Sequence, residues 1–287
     1  MEDNSMLKKG WVHRLTLFLL FLMCGLLVFF ISMTFSPKIP DNIETICRIS
    51  LMIVFLAVAI WSHRNELLKK YWPVFFAFFV ASFALFLSWQ SAGWVLHFLD
   101  LTVNTPDGIA VAKLSASLLI VIPIILLTRI SGDDLASIYL KKGKLRLGLI
   151  IGLASFVLFA ALAVLQVIGQ DISWEKVIPL TPWILVFVLA NGFMEELLFR
   201  GLFLRKYEPF LGNKLSNLLT AVVFTLAHIQ VTYTPELPIF LMITFLLALA
   251  WGYVMQKTDS IWGSALFHAG VDMLIIIGLF ANYGIRM

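Results

Sequence analysis

The hydrophobic positions of this chain form long unbroken runs, and the charged residues stand mainly between those runs. A helix crosses the hydrocarbon core of a bilayer with about 17–25 predominantly apolar residues. Eight or nine runs reach that length, so the pattern predicts an all-α, polytopic transmembrane helical bundle. The predicted spans are 14–35, 46–62, 72–90, 108–130, 147–169, 179–204, 215–232, 236–256 and 260–282.

One stretch fits no span, and it marks a division of the chain. Over 91–107 the apolar residues are spaced by polar ones, which favours a helix lying in the membrane interface; they are Trp94, Val95, Phe98 and Leu101. We therefore expect residues 1–107 to hold three N-terminal spans and this interfacial helix. Residues 108–287 hold the remaining spans, four to nine. No loop is long enough to form a separate soluble domain.

The composition supports the same class of protein. Of the 287 residues, 61% are hydrophobic and only 13% are charged, and the mean hydropathy is +0.95. A soluble globular chain is typically about half apolar and about a quarter charged. The remaining polar surface is too small to cover a water-soluble globule. The net charge of +4 is spread between apolar runs, so it indicates membrane topology and no nucleic-acid partner.

The positions of the basic residues predict the orientation of the chain. Lysine and arginine are retained on the cytoplasmic side of a membrane. With a cytoplasmic N-terminus and nine alternating spans, the outer side receives only four of them, Lys38, Arg48, Lys176 and Arg286. Two more, Lys113 and Arg200, lie within spans. We therefore expect a multi-pass protein of a cell membrane, a prokaryotic plasma membrane, with its N-terminus in the cytoplasm.

Six ionisable residues lie inside the predicted spans and away from their ends: Glu195, Glu196 and Arg200 in the sixth, His228 in the seventh, and His268 and Asp272 in the ninth. One charged group at the centre of a membrane helix costs roughly 2.5–3.5 kcal/mol. Three carboxylates and one guanidinium therefore carry on the order of 10 kcal/mol before any pairing. Mutual neutralisation, a water-filled cavity, or both must offset that cost.

The depths of these groups are similar. With a rise of about 1.5 Å per residue, Glu195 lies ~18 Å from the cytoplasmic end of its span near Tyr207. His228 lies ~20 Å from Leu215 by the same measure. On the ninth span, counted from Ser260, the histidine lies ~12 Å in and the aspartate ~18 Å in. A common level is what a single intramembrane site requires.

Helical spacing assigns these groups to faces. Glu196 and Arg200 are four residues apart, which favours a salt bridge between them. Glu195 is turned by about 100° and is left for chemistry. His268 and Asp272 also share a face, and Phe224 lies one turn before His228 and provides an apolar wall. Taken singly, each set has a structural interpretation, namely a salt bridge, a hydrogen-bonded interhelical histidine and a polar clasp.

Together these residue types are typical of a hydrolase. A carboxylate in a low-dielectric setting becomes a better general base for a water molecule. A second histidine with a polar partner can supply hydrogen-bond donors to an oxyanion. Alternatively, the same four side chains could ligate zinc and leave one position open for water; they are His228, His268, Glu195 and Asp272. The residues leave both interpretations open.

Three motifs resemble the CAAX protease and bacteriocin-processing family of intramembrane endopeptidases. The family patterns are E-E-x-x-x-R, F-x-x-x-H and H-x-x-x-N/D, in that order on separate helices. Here they read Glu195-Glu196-Leu197-Leu198-Phe199-Arg200, Phe224-Thr225-Leu226-Ala227-His228, and His268-Ala269-Gly270-Val271-Asp272. The resemblance covers roughly 145–282, which is the expected catalytic core.

The resemblance implies a role for each motif residue. Glu195 and His228 would activate the attacking water, and His268 with the residue at 272 would stabilise the oxyanion. Glu196 and Arg200 would hold the site together. Members that act on prenylated proteins carry Asn where this chain has Asp272, and an ionised aspartate cannot donate to an oxyanion. The family implies either a glutamate-activated or a metal-dependent mechanism.

The implied substrate is a membrane-associated peptide or protein, with membrane lipid as the other partner. Cleavage of a CAAX-type C-terminus and maturation of a bacteriocin or other peptide are both consistent with the family. The alternative is a non-catalytic immunity or scaffold protein that keeps the polar cluster for packing. A transporter is disfavoured, because neither the inverted repeats nor the Gly/Pro-broken helices typical of that class are clear in the sequence.

Overall fold

The computed structural model describes residues 2–32, 40–170, 172–231 and 234–281, without the side chains of 2–9 and 41–42. The described chain is all-helical, which confirms the predicted fold class. Its helices are α1 Glu2–Ser32, α2 Asp41–Arg64, α3 Trp72–Phe98, α4 Pro106–Ile130, α5 Leu145–Gly169, α6 Trp174–Glu195, α7 Leu204–Ala227, α8 Leu237–Thr258 and α9 Trp262–Ala281. A π-helical turn, Glu196–Gly201, follows α6 directly.

Nine of the helices in the described ranges are long and apolar enough to cross a membrane. The chain is thus a multi-pass membrane protein, with the larger of the two predicted span numbers. The outer ends of three predicted spans lie outside the described residues, namely 33–35, 232 and 282. So do Lys38 and Arg286 and the side chains of Lys8 and Lys9. The cytoplasmic N-terminus stays a prediction.

Two segments differ from their sequence-based interpretation. Residues 91–98 continue α3, and the chain then turns through Asp100 at a left-handed φ of 55°, so 91–107 holds no separate interfacial helix. The apolar run of α3 simply extends beyond a single bilayer thickness. The predicted loop after residue 204 is helical from Leu204 and breaks at Gly212, whose φ of 74° and ψ of 167° only glycine adopts readily.

The described residues form two compact units. The first comprises 1–86 and 199–253, and the second 87–198 and 254–287. The division into 1–107 and 108–287 at the stretch that fits no span stays a prediction; each packing unit contains residues from both segments. In the first unit α1 packs along α7, and Phe29 stacks on Phe199 with ring centroids 4.2 Å apart.

Close backbone contacts at glycines organise the second unit. Helix α9 packs against both α5 and α6, and α6 packs against α4. A Cβ atom on Gly152 would lie 2.8 Å from the carbonyl oxygen of Gly263, and one on Gly270 would lie 2.6 Å from the Cα of Phe156. Only a residue without a side chain permits these approaches. The glycines therefore fix the position of α9 within the unit.

We expect Gly192→Ala to destabilise the protein. The added Cβ would lie 2.8 Å from the amide nitrogen of Ala269 and 2.9 Å from the carbonyl oxygen of Ala265. Both are backbone atoms of α9, which cannot move away without distorting the helix. Overpacking of this kind costs about 1–3 kcal/mol. Gly93→Ala in α3 is the matched control, because nothing lies within 4 Å of its new Cβ. It should be neutral or stabilise by up to about 1 kcal/mol.

Thermal unfolding of both variants in detergent measures the difference. The Gly192 variant should unfold at a lower temperature than the parent and the Gly93 variant at the same or a higher one. Equal midpoints for the two variants would contradict the close packing of α6 against α9.

Candidate active site

The second unit brings four of the predicted site residues together. Glu195 ends α6, Glu196 begins the π turn, and His268 and Asp272 lie one turn apart on α9. Glu195, Glu196 and His268 are buried, and the side chain of Asp272 is 14% exposed. Because α6 packs directly against α9, the two acidic residues of the first motif face the third motif.

His268 lies at the centre of this group. Its Nδ1 is 2.9 Å from Oε1 of Glu196, and its Nε2 is 3.4 Å from Oε2 of Glu195 and 3.6 Å from Oδ1 of Asp272. An ionised carboxylate only accepts hydrogen bonds, so Nδ1 of His268 is protonated and donates to Glu196. One imidazole ring thus links three acidic side chains on two helices.

Glu196 is fully buried, and both of its oxygens bind α9. Besides the bond from His268, the hydroxyl of Ser264 donates to its Oε2. Glu196 therefore fastens the end of α6 to α9. The salt bridge to Arg200 that the spacing predicts would span a π turn, in which hydrogen bonds run from residue i to i+5, and it stays a prediction.

Asp272 has partners that the sequence analysis did not identify. The Nδ2 of Asn191 donates to its Oδ2 at 2.9 Å, and the Nζ of Lys113 donates to the Oδ1 of Asn191 at 3.0 Å. Asn191 lies one turn before Glu195 on α6, and Ser264 one turn before His268 on α9. This spacing of one helical turn between polar residues is the feature of the sequence that could have identified Asn191 and Ser264.

His228, in the first unit, lies immediately after α7, which ends at Ala227. It is buried, and its Nδ1 is 2.8 Å from the carbonyl oxygen of Phe224. A carbonyl can only accept, so Nδ1 donates, and in the neutral imidazole Nε2 then carries the lone pair. The ring of Phe224 lies 4.4 Å from the imidazole, centroid to centroid, as the predicted apolar wall. The neutral form would present a basic nitrogen.

Arg200, also in the first unit, is fully buried among aromatic rings. Its guanidinium lies 4.6 Å from the ring centroid of Phe224 and 5.2 Å from that of Trp251, and its Nε donates to the carbonyl of Ala248 at 3.4 Å. Cation–π contacts are strongest where the cation is shielded from water. Arg200 thus binds α7 to α8, and Trp251 is a partner that sequence reasoning missed.

Zinc held by His228, His268, Glu195 and Asp272 stays a prediction. Across the described ranges, no group of three or more His, Cys, Asp or Glu residues is placed to hold a metal ion. In the second unit the ring nitrogens of His268 face Glu196 and Glu195. We therefore derive no step through zinc.

Comparison with known proteins identifies one segment. Residues 177–274, about a third of the chain, match the model of the Rce1-like family of type II CAAX prenyl endopeptidases. No curated protein and no solved structure matches the chain. The matched segment holds all three motifs, and the resemblance to the CAAX protease family is confirmed there. Helix α4, with Lys113, lies outside it.

Proposed function

We propose that this chain, whose residues 177–274 carry an Rce1-like domain of the CAAX protease family, is an intramembrane endopeptidase. It hydrolyses a peptide bond of a membrane-associated protein or peptide. The observation that supports this most directly is the buried contact of His268 with Glu195 and Glu196. Ionisable groups are expensive within a membrane and mark functional sites there.

In the proposed mechanism Glu195 and His228 activate a water molecule. The carboxylate accepts a proton from the water, and the attacking oxygen adds to the scissile carbonyl carbon. The lone pair on Nε2 of His228 is supported by the bond between its Nδ1 and the Phe224 carbonyl. Joint action of the two residues is part of the proposal. The proton taken from water then passes to the leaving amine.

His268 and Asp272 are proposed to act on the oxyanion of the tetrahedral intermediate. When both ring nitrogens carry a proton, Nε2 of His268 can donate to that oxyanion. Oδ1 of Asp272 lies 3.6 Å from the same nitrogen and orients the ring. Glu196 keeps the ring in place through Nδ1. Arg200 supports the wall of Phe224 beside His228.

The substrate is proposed to be either a CAAX-type C-terminus or a peptide that matures at a prokaryotic plasma membrane. With the N-terminus in the cytoplasm, the site would open toward that side. The family match supports the first kind of substrate, and it extends over the motif helices.

Cleavage of a library of membrane-anchored reporter peptides by the purified protein tests the proposal. We expect cleavage that persists in the presence of a strong chelator. Loss with chelator and recovery with zinc would instead assign the chemistry to a metal. Failure to cleave any reporter would favour a non-catalytic immunity or scaffold protein.

A further inference from the structure

A polar chain joins Asp272 to a helix outside the matched family segment. Lys113 on α4 donates to Asn191 on α6, and Asn191 donates to Asp272 on α9, with distances of 3.0 and 2.9 Å. All three residues belong to the second unit. Asn191 is 7% exposed, so the central amide is shielded from water.

The chemistry of lysine fixes the direction of this chain. An ammonium group has three donors and no acceptor, so the Asn191 amide must turn its oxygen toward Lys113. Its NH₂ group then faces Oδ2 of Asp272, and an oxygen must accept there. The other oxygen, Oδ1, is the one that faces Nε2 of His268. Lys113 thus fixes the orientation of the amide in which Asn191 donates to one carboxylate oxygen while the other oxygen faces the histidine.

The cost of a charge inside the membrane also favours the pairing of Lys113 with Asp272. A lysine inside a membrane span is costly without a compensating anion, and α4 is one of the candidate spans. The ammonium lies 5.1 Å from the ring centroid of Phe187, one turn before Asn191 on α6, which confines it to this position. Among the described residues, the charged or titratable groups that act on Asp272 are His268, Glu195 and, through the Asn191 amide, Lys113.

We propose that Lys113, acting through Asn191, is a positioning residue for Asp272. It holds the carboxylate with one oxygen toward Asn191 and the other toward His268, and it balances the negative charge that asparagine would lack. The consequence for catalysis rests on the proposed function. An asparagine at 272 would accept from Asn191 through its own oxygen but would carry no charge for Lys113 to balance.

A double-mutant cycle tests the proposal on the full-length protein in detergent. The variants are Lys113→Met, Asp272→Asn and both together, with Lys113→Arg as the conservative change. Lys176→Met, an exposed lysine at the start of α6, is the matched control. Reporter-peptide cleavage gives kcat and KM, and thermal unfolding gives the midpoint for every variant.

We expect Lys113→Met to lower kcat about tenfold with KM nearly unchanged, and to lower the unfolding midpoint. In the Asp272→Asn background the same change should alter kcat by less than about twofold and leave the midpoint unchanged. Lys113→Arg, which keeps the charge and the donors, should retain most of kcat, and Lys176→Met all of it.

An equal loss of stability from Lys113→Met in both backgrounds would overturn the proposal, as would no loss in either. If Asp272→Asn is too slow to assay, the unfolding midpoints alone decide between these outcomes. The unfolding midpoints do not depend on cleavage. If the two substitutions are coupled in the midpoints but no peptide is hydrolysed, the proposed function is contradicted and the pairing of Lys113 with Asp272 is supported.

Discussion

Replacement of Glu195 by alanine is expected to abolish peptide cleavage while the protein still folds. The carboxylate lies 3.4 Å from Nε2 of His268 at the end of α6, and it is the proposed base for water. Loss of a general base typically lowers the rate by about 10²–10⁴-fold. Glu195→Gln should lose as much, because an amide of the same size cannot accept the proton.

Glu175→Ala provides the control, since this glutamate is exposed in the first turn of the same helix. Measurements of kcat/KM for a reporter peptide, with circular dichroism and thermal unfolding for each variant, separate loss of chemistry from loss of fold. Activity in Glu195→Ala above about a tenth of the parent would exclude Glu195 as the base. Preserved biological function in Glu195→Gln would favour the scaffold interpretation.

Much of the fold could be predicted because a bilayer imposes it. Every backbone polar group in the hydrocarbon must be satisfied within its own segment, so a long apolar run has little choice but to form a helix. Run length alone predicts eight or nine spans, and nine helices in the described ranges are long and apolar enough. The break at Gly212 and the extension of α3 could not be predicted, since glycine tolerates both helix and turn and a long apolar run does not specify its end.

The partners of the site residues were harder to predict than the residues themselves. The acidic pair was identified by its motif, but the motif spacing did not identify the contacts of Glu196 with Ser264 and His268. The bond from Ser264 to Glu196 depends on how closely α6 and α9 approach, and that distance is set by glycines such as Gly192. Such contacts are tertiary and leave little trace in the local sequence.

Lys113 is a second residue whose tertiary partner could not be predicted from the sequence. Its position inside a span was visible in the sequence, but its partner Asn191 lies 78 residues further along the chain. A basic residue within a span signals that some acidic or polar partner exists. It does not identify the partner. Asn191 is neutral, so a search for charged residues inside the spans does not find it. It nevertheless connects Lys113, the charged residue in the central turns of α4, to Asp272.

Glu196→Ala is expected to lower kcat/KM about 10²-fold without any change in the proposed base. The substitution removes the acceptor for Nδ1 of His268 and for the hydroxyl of Ser264, both of which are buried. A buried donor without an acceptor costs about 1–3 kcal/mol. The imidazole would then rotate away from the position in which its Nε2 faces Glu195 and the proposed oxyanion.

The size of the loss should follow the number of acceptors that remain. Glu196→Gln keeps one oxygen for Nδ1 of His268, and its NH₂ can donate to the Ser264 hydroxyl, so we expect a loss of about tenfold. Ser264→Ala removes a single bond and should cost only a few-fold. Glu44→Ala is the matched control, because Glu44 is also buried and bonded to a basic residue on its own helix, Arg48. It should lower the unfolding midpoint and leave kcat unchanged.

A double variant distinguishes this role from the salt bridge that sequence spacing predicted between Glu196 and Arg200. If Glu196 acts through α9, then Ser264→Ala should have almost no further effect once Glu196 is alanine. If Glu196 acts through Arg200 instead, the two losses should add. Additive effects in both kcat/KM and the unfolding midpoint would therefore contradict the contact of Glu196 with Ser264 as the source of its importance.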